Sequence, residues 1–293
     1  EHILYNCVLA LMDTPGQTLL GVYRMLVDDT YRKSIVANIK DPIVKMFWVD
    51  DYESYDLRFR KEIISPVQNK VGQLLTSPQM RNIVGQPKSS VDFGFVMDQK
   101  RILLANLSKG KVGEDKSNLL GSAIITKMYL SALERQSMPE ESRQDFYLYI
   151  DEFQNFSTDI FPSILSEARK YRLNLNLAHQ YLYQLPEGIK HAVFGNVGSV
   201  ISFRVGSYDA KELAEEMKPV FTSEDLEHLD NHHIALRLLI DGKMSHAFSA
   251  ITMPPLKLSG CEAERDTVLR ISRERYATPR DIVEEKLKNW FEK

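Results

Sequence analysis

The sequence has few cysteines and no long apolar run, and both shortages restrict the class of protein. Its two cysteines, Cys7 and Cys261, stand far apart in a chain of 293 residues. A disulfide framework is therefore not expected, and a reducing compartment is the default. The apolar runs are too short to cross a bilayer, and no signal peptide is visible.

The sequence also lacks a strong excess of charge. Lys and Arg number 37 against 40 Asp and Glu, which gives a net charge of −3. This balance argues against a broad basic surface for duplex DNA. His179 has no second His or Cys at metal-ligand spacing, so a zinc site is not expected and we interpret this histidine as a packed neighbour.

The most informative stretch runs from Phe146 to Gln154 and reads FYLYIDEFQ. Five apolar residues suit a strand of a parallel sheet that is buried on both faces. Because burial of charge is costly, we expect Asp151 and Glu152 at the exposed carboxyl end of that strand. There an Asp can hold Mg²⁺, and a Glu can orient or deprotonate a water. A strand followed by an acidic helix cap would give the same pattern.

The residues that follow predict further units of a parallel sheet. A helix is expected over residues 160–170, a short strand over 173–180 and a third strand over 198–205, with another helical stretch before the last. The carboxyl ends of parallel strands meet at one edge of a sheet. Asp151, Glu152 and Gln180 are therefore predicted to lie together.

Four motifs give the chain a family resemblance: YIDEFQ at 149–154, EARKY at 167–171, LAHQ at 177–180 and FGNVG at 194–198. With them, residues 102–255 resemble the second half of a RecA-like motor core of the HerA/FtsK superfamily. The likeness is greatest to TraD/TraG-type coupling proteins of type IV secretion and conjugation. It implies a ring-shaped, usually hexameric, ATP-driven DNA translocase with nucleotide between subunits. It also implies that Asp151 and Glu152 are the Walker B pair, with Asp151 on Mg²⁺, and that Gln180 senses the γ-phosphate.

The phosphate-binding loop of such a motor, G-x-x-x-x-G-K-[ST], does not occur in the sequence. A strand is expected over residues 102–107, and residues 110–117 after it come near to the motif. Asp115, however, replaces the required Gly and would repel phosphates. We interpret this stretch as a loop whose Lys109, Lys111 and Lys116 face DNA or a neighbouring subunit, or as a solvated charged turn. The chain starts without Met, and we expect it to be a piece of a longer protein.

Three arginines are candidates for a catalytic finger. In ring motors an arginine of one subunit stabilises charge at the nucleotide of its neighbour. Arg169 and Arg172 are predicted to have this role, with Arg204 as a third candidate. Each could equally be a surface cation or complement a helix dipole.

The predicted organisation is an α/β RecA-like P-loop NTPase core with an all-helical insertion. Residues 1–16 are expected to give a helix of the motor core, 17–92 the insertion, 93–256 the core with Walker B, and 257–293 a helical tail. Local signals add a capping box between Thr222 and Asp225, and a hairpin through Asp241-Gly242.

The predicted function is that of a subunit of an ATP-dependent DNA translocase or type IV secretion coupling protein. Expected partners are single- or double-stranded DNA, further copies in a homo-hexamer, and secretion-channel proteins. Any membrane contact would come from regions outside this chain, so we expect it in the cytoplasm or at the cytoplasmic face of the inner membrane. Two alternatives stay open: a non-catalytic module that recruits DNA or secretion substrates, and a secretion or pilus assembly ATPase that acts on protein.

Overall fold

Buried apolar residues collect into separate cores, and the chain divides into two units accordingly. In the computed structural model, which describes residues 2–256 and 260–292, one unit combines the residues up to Val91 with those from Gly260 onward. The other unit begins at Asp92. We call them the helical unit and the sheet unit.

The helical unit contains several helices that begin at side-chain caps. Asp28, Asp41 and Asp56 start three of them because their carboxylates accept hydrogen bonds from first-turn N–H groups. None of the helices within the described ranges is long and apolar enough to span a membrane. Its helices are α1 (His2–Met12), α2 (Leu20–Val27), α3 (Asp29–Ala37), α4 (Pro42–Met46), α5 (Leu57–Thr76), α6 (Pro78–Val84), and, from the end of the chain, α14 (Glu262–Tyr276) and α15 (Arg280–Phe291).

The structure groups residues 2–16 with the helical unit, whereas the sequence assigned 1–16 to the motor core. The reason is apolar packing: Cys7 of α1 is fully buried in one core with Met25 and Trp48, and the Trp48 indole donates to the carbonyl of Asn6 at 3.3 Å. From the tail predicted for 257–293, α15 joins the same unit, and residues 257–259 lie outside the described ranges. Arg24 donates to the carbonyl of Trp290 at 2.8 Å.

The sheet unit mixes helices with short strands, and the α/β class predicted from the sequence is confirmed. Its helices are α7 (Phe93–Asp98), α8 (Lys109–Val112), α9 (Glu114–Glu134), α10 (Phe161–Glu167), α11 (Glu187–Asn196), α12 (Ser207–Glu216) and α13 (Ser223–Glu227). Its strands are β1 (Phe146–Ile150), β2 (Leu173–Leu177), β3 (Val200–Ser202), β4 (His233–Arg237), β5 (Leu239–Ile240), β6 (Lys243–Met244) and β7 (Phe248–Ile251).

Strands β1 and β2 form the parallel pair that positions the candidate site. Phe146 is opposite Leu173 and Ile150 is opposite Leu177, so both carboxyl ends lie at one edge. The predicted burial of β1 on both faces is wrong: Tyr147 and Tyr149 are exposed. Ile150 lies on the other face of the β1–β2 pair. There, among the described residues, it is buried in an apolar core.

Two other strand predictions also differ from the structure. Residues 102–107 form no strand, and Ile102 and Leu104 are more than four-fifths exposed. A cavity of about 1020 Å³ lies between this segment and β1, so the two do not pair. The third predicted strand is the short β3, which pairs antiparallel with β4 in a second sheet, β3-β4-β7, instead of extending the parallel pair. The pattern of apolar residues could not show which edge each strand would join.

Both local predictions near the end of the sheet unit are confirmed. Thr222 and Asp225 form a reciprocal capping box at the start of α13. Strands β4 and β7 pair, and inside them β5 and β6 meet through a tight turn. Asp241 and Gly242 both have positive φ in that turn, which matches the right-handed twist of a hairpin.

Candidate functional site

The turn that follows β1 holds its two acids in a fixed conformation. Glu152 has a left-handed backbone with φ of 52°, a conformation that costs energy for a residue other than Gly. Its N–H donates to Asp151 Oδ1 at 3.0 Å. The next residue, Phe153, is fully buried, and its N–H donates to the carbonyl of Ala178 at 3.0 Å. The turn is therefore attached to the end of β2.

Both carboxylate oxygens of Glu152 accept hydrogen bonds from side-chain amides. Gln180 donates from the end of β2 to Oε1, and Gln154 donates to Oε2 at 2.6 Å. These bonds, with that from Gln180 contributing most, hold the pKa of the Glu152 carboxyl below its ordinary value. Glu152 is therefore ionised at neutral pH. The predicted proximity of Asp151, Glu152 and Gln180 agrees with this arrangement.

His179 packs beside these residues, as the sequence suggested. Its ring meets that of Phe153 edge-on, with centroids 5.3 Å apart. Burial lowers the pKa of His179, so the ring is neutral at pH 7. No group of three His, Cys, Asp or Glu side chains able to hold a metal is found among residues 2–256 and 260–292.

Lys109 also belongs to this site, which its predicted role at a DNA-facing loop did not foresee. Its ammonium group donates to Asn155 Oδ1 at 2.9 Å and pairs with Glu114 at 2.6 Å. The positive charge of Lys109 adds to the lowering of the pKa of Glu152. Lys109, Asn155 and Glu152 line one end of the cavity beside β1.

The other two predicted loop lysines are placed differently. Lys111 is exposed and Lys116 is half-buried. Neither has an ion pair or side-chain hydrogen bond within the part of the chain that the structure describes. Their contact with DNA stays a prediction.

The structure does not bring Arg169 and Arg172 to the acids of the same chain. Both precede β2, at its amino end, and the carbonyl of Arg172 accepts from the N–H of Phe146 at 2.9 Å. The acids lie at the other end of a strand of five residues, which is roughly 17 Å long at about 3.3 Å a residue. Arg172 pairs with Asp145 at 3.6 Å, and Arg169 is exposed.

Sequence reasoning missed two residues that complete the site. Gln154 and Asn155 follow the acids directly, and their side chains bind Glu152 and Lys109. Their position just after a strand-ending acid pair is the signal that could have identified Gln154. No local signal links Asn155 to Lys109, which is 46 positions away.

Comparisons with solved structures identify the fold. The bacterial conjugative coupling protein TrwB, in an unbound form, superposes with a TM-score of 0.62 at 11% identity over 86% of this chain. TrwB with a GTP analogue gives 0.57 at 12% identity over 87%, and TrwB with an ATP analogue gives 0.54 at 11% over 82%. The chain spans about three-fifths of the length of these structures, 63%, 62% and 58% respectively. No protein-family model matches the sequence, and no curated protein matches it significantly.

These matches show that the chain shares the fold of TrwB, an α/β core with a helical insertion. The resemblance to TraD/TraG-type coupling proteins that the motifs indicate is confirmed at the level of the fold. At this identity, similarity does not transfer the roles of individual residues. Those roles depend on the geometry of the site.

Proposed function

We propose that this chain is part of an ATP-hydrolysing motor subunit that moves DNA, of the conjugative coupling kind. The observation that best supports the proposal is the hydrogen bond from Gln180 to Glu152 at the shared end of β1 and β2. Ligands bind at this edge in open α/β sheets. The TrwB structures of similar fold include forms with ATP and GTP analogues bound.

In this proposal Glu152 is the group that orients the attacking water and takes its proton. Its carboxylate is kept ionised by Gln180 and Gln154, as a general base requires. Because Gln180 donates to Oε1, movement of Gln180 would change the proton affinity of Glu152. The hydrogen bond from Gln180 would thus couple the state of the γ-phosphate to the proton affinity of Glu152.

Asp151 would hold Mg²⁺, which supplies charge neutralisation on the phosphates. Its side chain is exposed, and Oδ1 accepts a hydrogen bond from the N–H of Glu152, the one bond to this carboxylate among the described residues. One carboxylate with phosphate and water oxygens is an ordinary Mg²⁺ site. The donor set fits the ion.

The same proposal includes a homo-hexameric assembly and its partners. The arginines at the amino end of β2 lie far from the acids of their own chain. In a homo-hexamer, an exposed arginine there could reach the nucleotide of a neighbouring subunit. DNA and secretion-channel proteins would be the partners. Because these 293 residues contain no phosphate-binding loop motif, we expect the chain alone to hydrolyse ATP slowly or not at all.

The proposal is tested by ATP hydrolysis of the complete gene product, alone and with single- or double-stranded DNA. Turnover that DNA stimulates is the expected result. Turnover indifferent to DNA would contradict the DNA motor and favour an ATPase that acts on protein. Absence of ATP turnover in an intact oligomer would instead favour a non-catalytic module that recruits DNA or secretion substrates.

A further inference from the structure

Three exposed tyrosines form an aromatic cluster, two of them just after Gln180 and the third on α12. The rings of Tyr181 and Tyr183 are 5.7 Å apart, and those of Tyr183 and Tyr208 are 6.5 Å apart. Their exposed fractions are 47%, 63% and 58%. Large apolar surfaces of this kind are normally buried, so three rings that contact one another in solvent form an unusual surface.

A buried hydrogen bond holds this cluster in place. Asp209 of α12 accepts from the N–H of Leu182 at 2.9 Å, and both residues are buried. Leu182 lies between Tyr181 and Tyr183, and Asp209 follows Tyr208. The bond therefore fixes the two segments that carry the rings, so that a ligand would not have to order them.

Two cations lie within four positions of Tyr208 along the chain. Arg204 lies between β3 and α12, and Lys211 lies one turn after Tyr208 on the same face of α12. Neither has an ion pair or side-chain hydrogen bond in the ranges the structure describes. Glu187 and Glu212 both pair with the ammonium group of Lys190, at 2.9 and 2.8 Å, which offsets part of their negative charge.

We propose that Tyr181, Tyr183 and Tyr208 form a stacking surface for unpaired bases of single-stranded DNA, with Arg204 and Lys211 contacting its phosphates. Aromatic rings stack on every base, and interleaved cations follow the backbone. In a duplex the base faces are already stacked on one another and are not available. The inference rests on the proposed action on DNA and specifies the state of the strand.

This surface also has a direct connection to the candidate site. Tyr181 is covalently next to Gln180, whose amide donates to Glu152. Stacking of a base on Tyr181 would restrict Gln180 and so influence the hydrogen bond to the carboxylate. A DNA strand on the cluster could in this way alter hydrolysis.

The test compares binding of a labelled oligothymidylate and a labelled duplex to the whole chain by fluorescence anisotropy. Tyr183→Leu and Tyr208→Leu should each weaken oligothymidylate binding about tenfold or more, while Tyr183→Phe should restore it. Tyr147→Leu removes a comparably exposed ring of the same unit and should not change it. Arg204→Gln should reduce the dependence of binding on salt concentration.

Affinity that is unchanged in Tyr183→Leu and Tyr208→Leu, or equal affinity for duplex and single strand, would overturn the inference. So would failure of the wild-type chain to bind the oligothymidylate. Circular dichroism and thermal melting of each variant establish that it is folded. DNA-stimulated hydrolysis by the complete gene product decides the proposed function separately, since it can occur without this surface.

Discussion

The side-chain amide of Gln180 donates a hydrogen bond to the carboxylate of Glu152, which is 28 positions earlier in the chain. The two residues follow neighbouring parallel strands, β2 and β1, whose paired register ends at Ile150 and Leu177. Sheet topology alone therefore brings a carboxylate and the amide that lowers its pKa into contact.

Removal of the Gln180 amide should shift the acidic limb of the pH profile of ATP hydrolysis to higher pH. In Gln180→Ala the largest cause of the lowered pKa of Glu152 is lost, so this pKa rises toward its ordinary value. The base is then protonated, and turnover lost, at a higher pH than in the wild type. The pH dependence of kcat in the complete gene product measures the shift.

Gln136→Ala is the matched control for this shift, because Gln136 is exposed and lies in a short 3₁₀ helix between α9 and β1. Its pH profile should equal that of the wild type. An acid limb that stays in place in Gln180→Ala would show that Gln180 does not set the protonation of the base.

Lys109→Met should lower ATP turnover in the absence of DNA by about tenfold. The substitution removes the bonds to Asn155 and Glu114 and a positive charge that favours ionised Glu152, and groups that position a site have effects of this order. Lys109→Arg should retain more activity than Lys109→Met, since it keeps the charge. Steady-state ATP hydrolysis by the complete gene product, without DNA, measures the turnover of both variants.

Lys127→Met removes an exposed lysine of α9 and provides the control. The alternative is that Lys109 contacts DNA only. In that case Lys109→Met would leave DNA-free turnover intact and weaken DNA binding, which contradicts the structural position of the ammonium group.

Arg169→Ala should reduce turnover more than Arg172→Ala. Arg172 is already paired with Asp145, whereas Arg169 has no side-chain partner in the described part of the chain and is free to reach a neighbour. An arginine finger is worth about 10³-fold or more in related reactions. The comparison uses the complete gene product in its assembled state.

An experiment that mixes subunits of two variants tests whether Arg169 acts between subunits. Arg169→Ala and Glu152→Gln subunits are each inactive in this account, and mixed assemblies contain interfaces with both residues intact. Recovery of activity on mixing is expected. Equal losses for the two arginine variants, with no recovery, would exclude an inter-subunit role for Arg169.

The parts of this protein that the sequence predicts are those decided within a few neighbouring residues. The capping box of Thr222 and Asp225 depends on one helical turn, and Asp151-Glu152 depends on a strand and its end. Long-range pairing was not predictable. Residues 102–107 have a strand pattern but pair with no strand in the described part of the chain, and Lys109 binds an amide 46 positions away.

The most direct test of the account is ATP turnover by Glu152→Gln in the complete gene product, measured beside Glu141→Gln. Glu141 is exposed and lies outside the site, so its variant should hydrolyse ATP as the wild type does. Glu152→Gln keeps the shape of the side chain but cannot accept a proton. We expect this variant to retain ATP binding and its turnover to fall about a hundredfold or more. Wild-type turnover in Glu152→Gln would contradict the proposed role of Glu152.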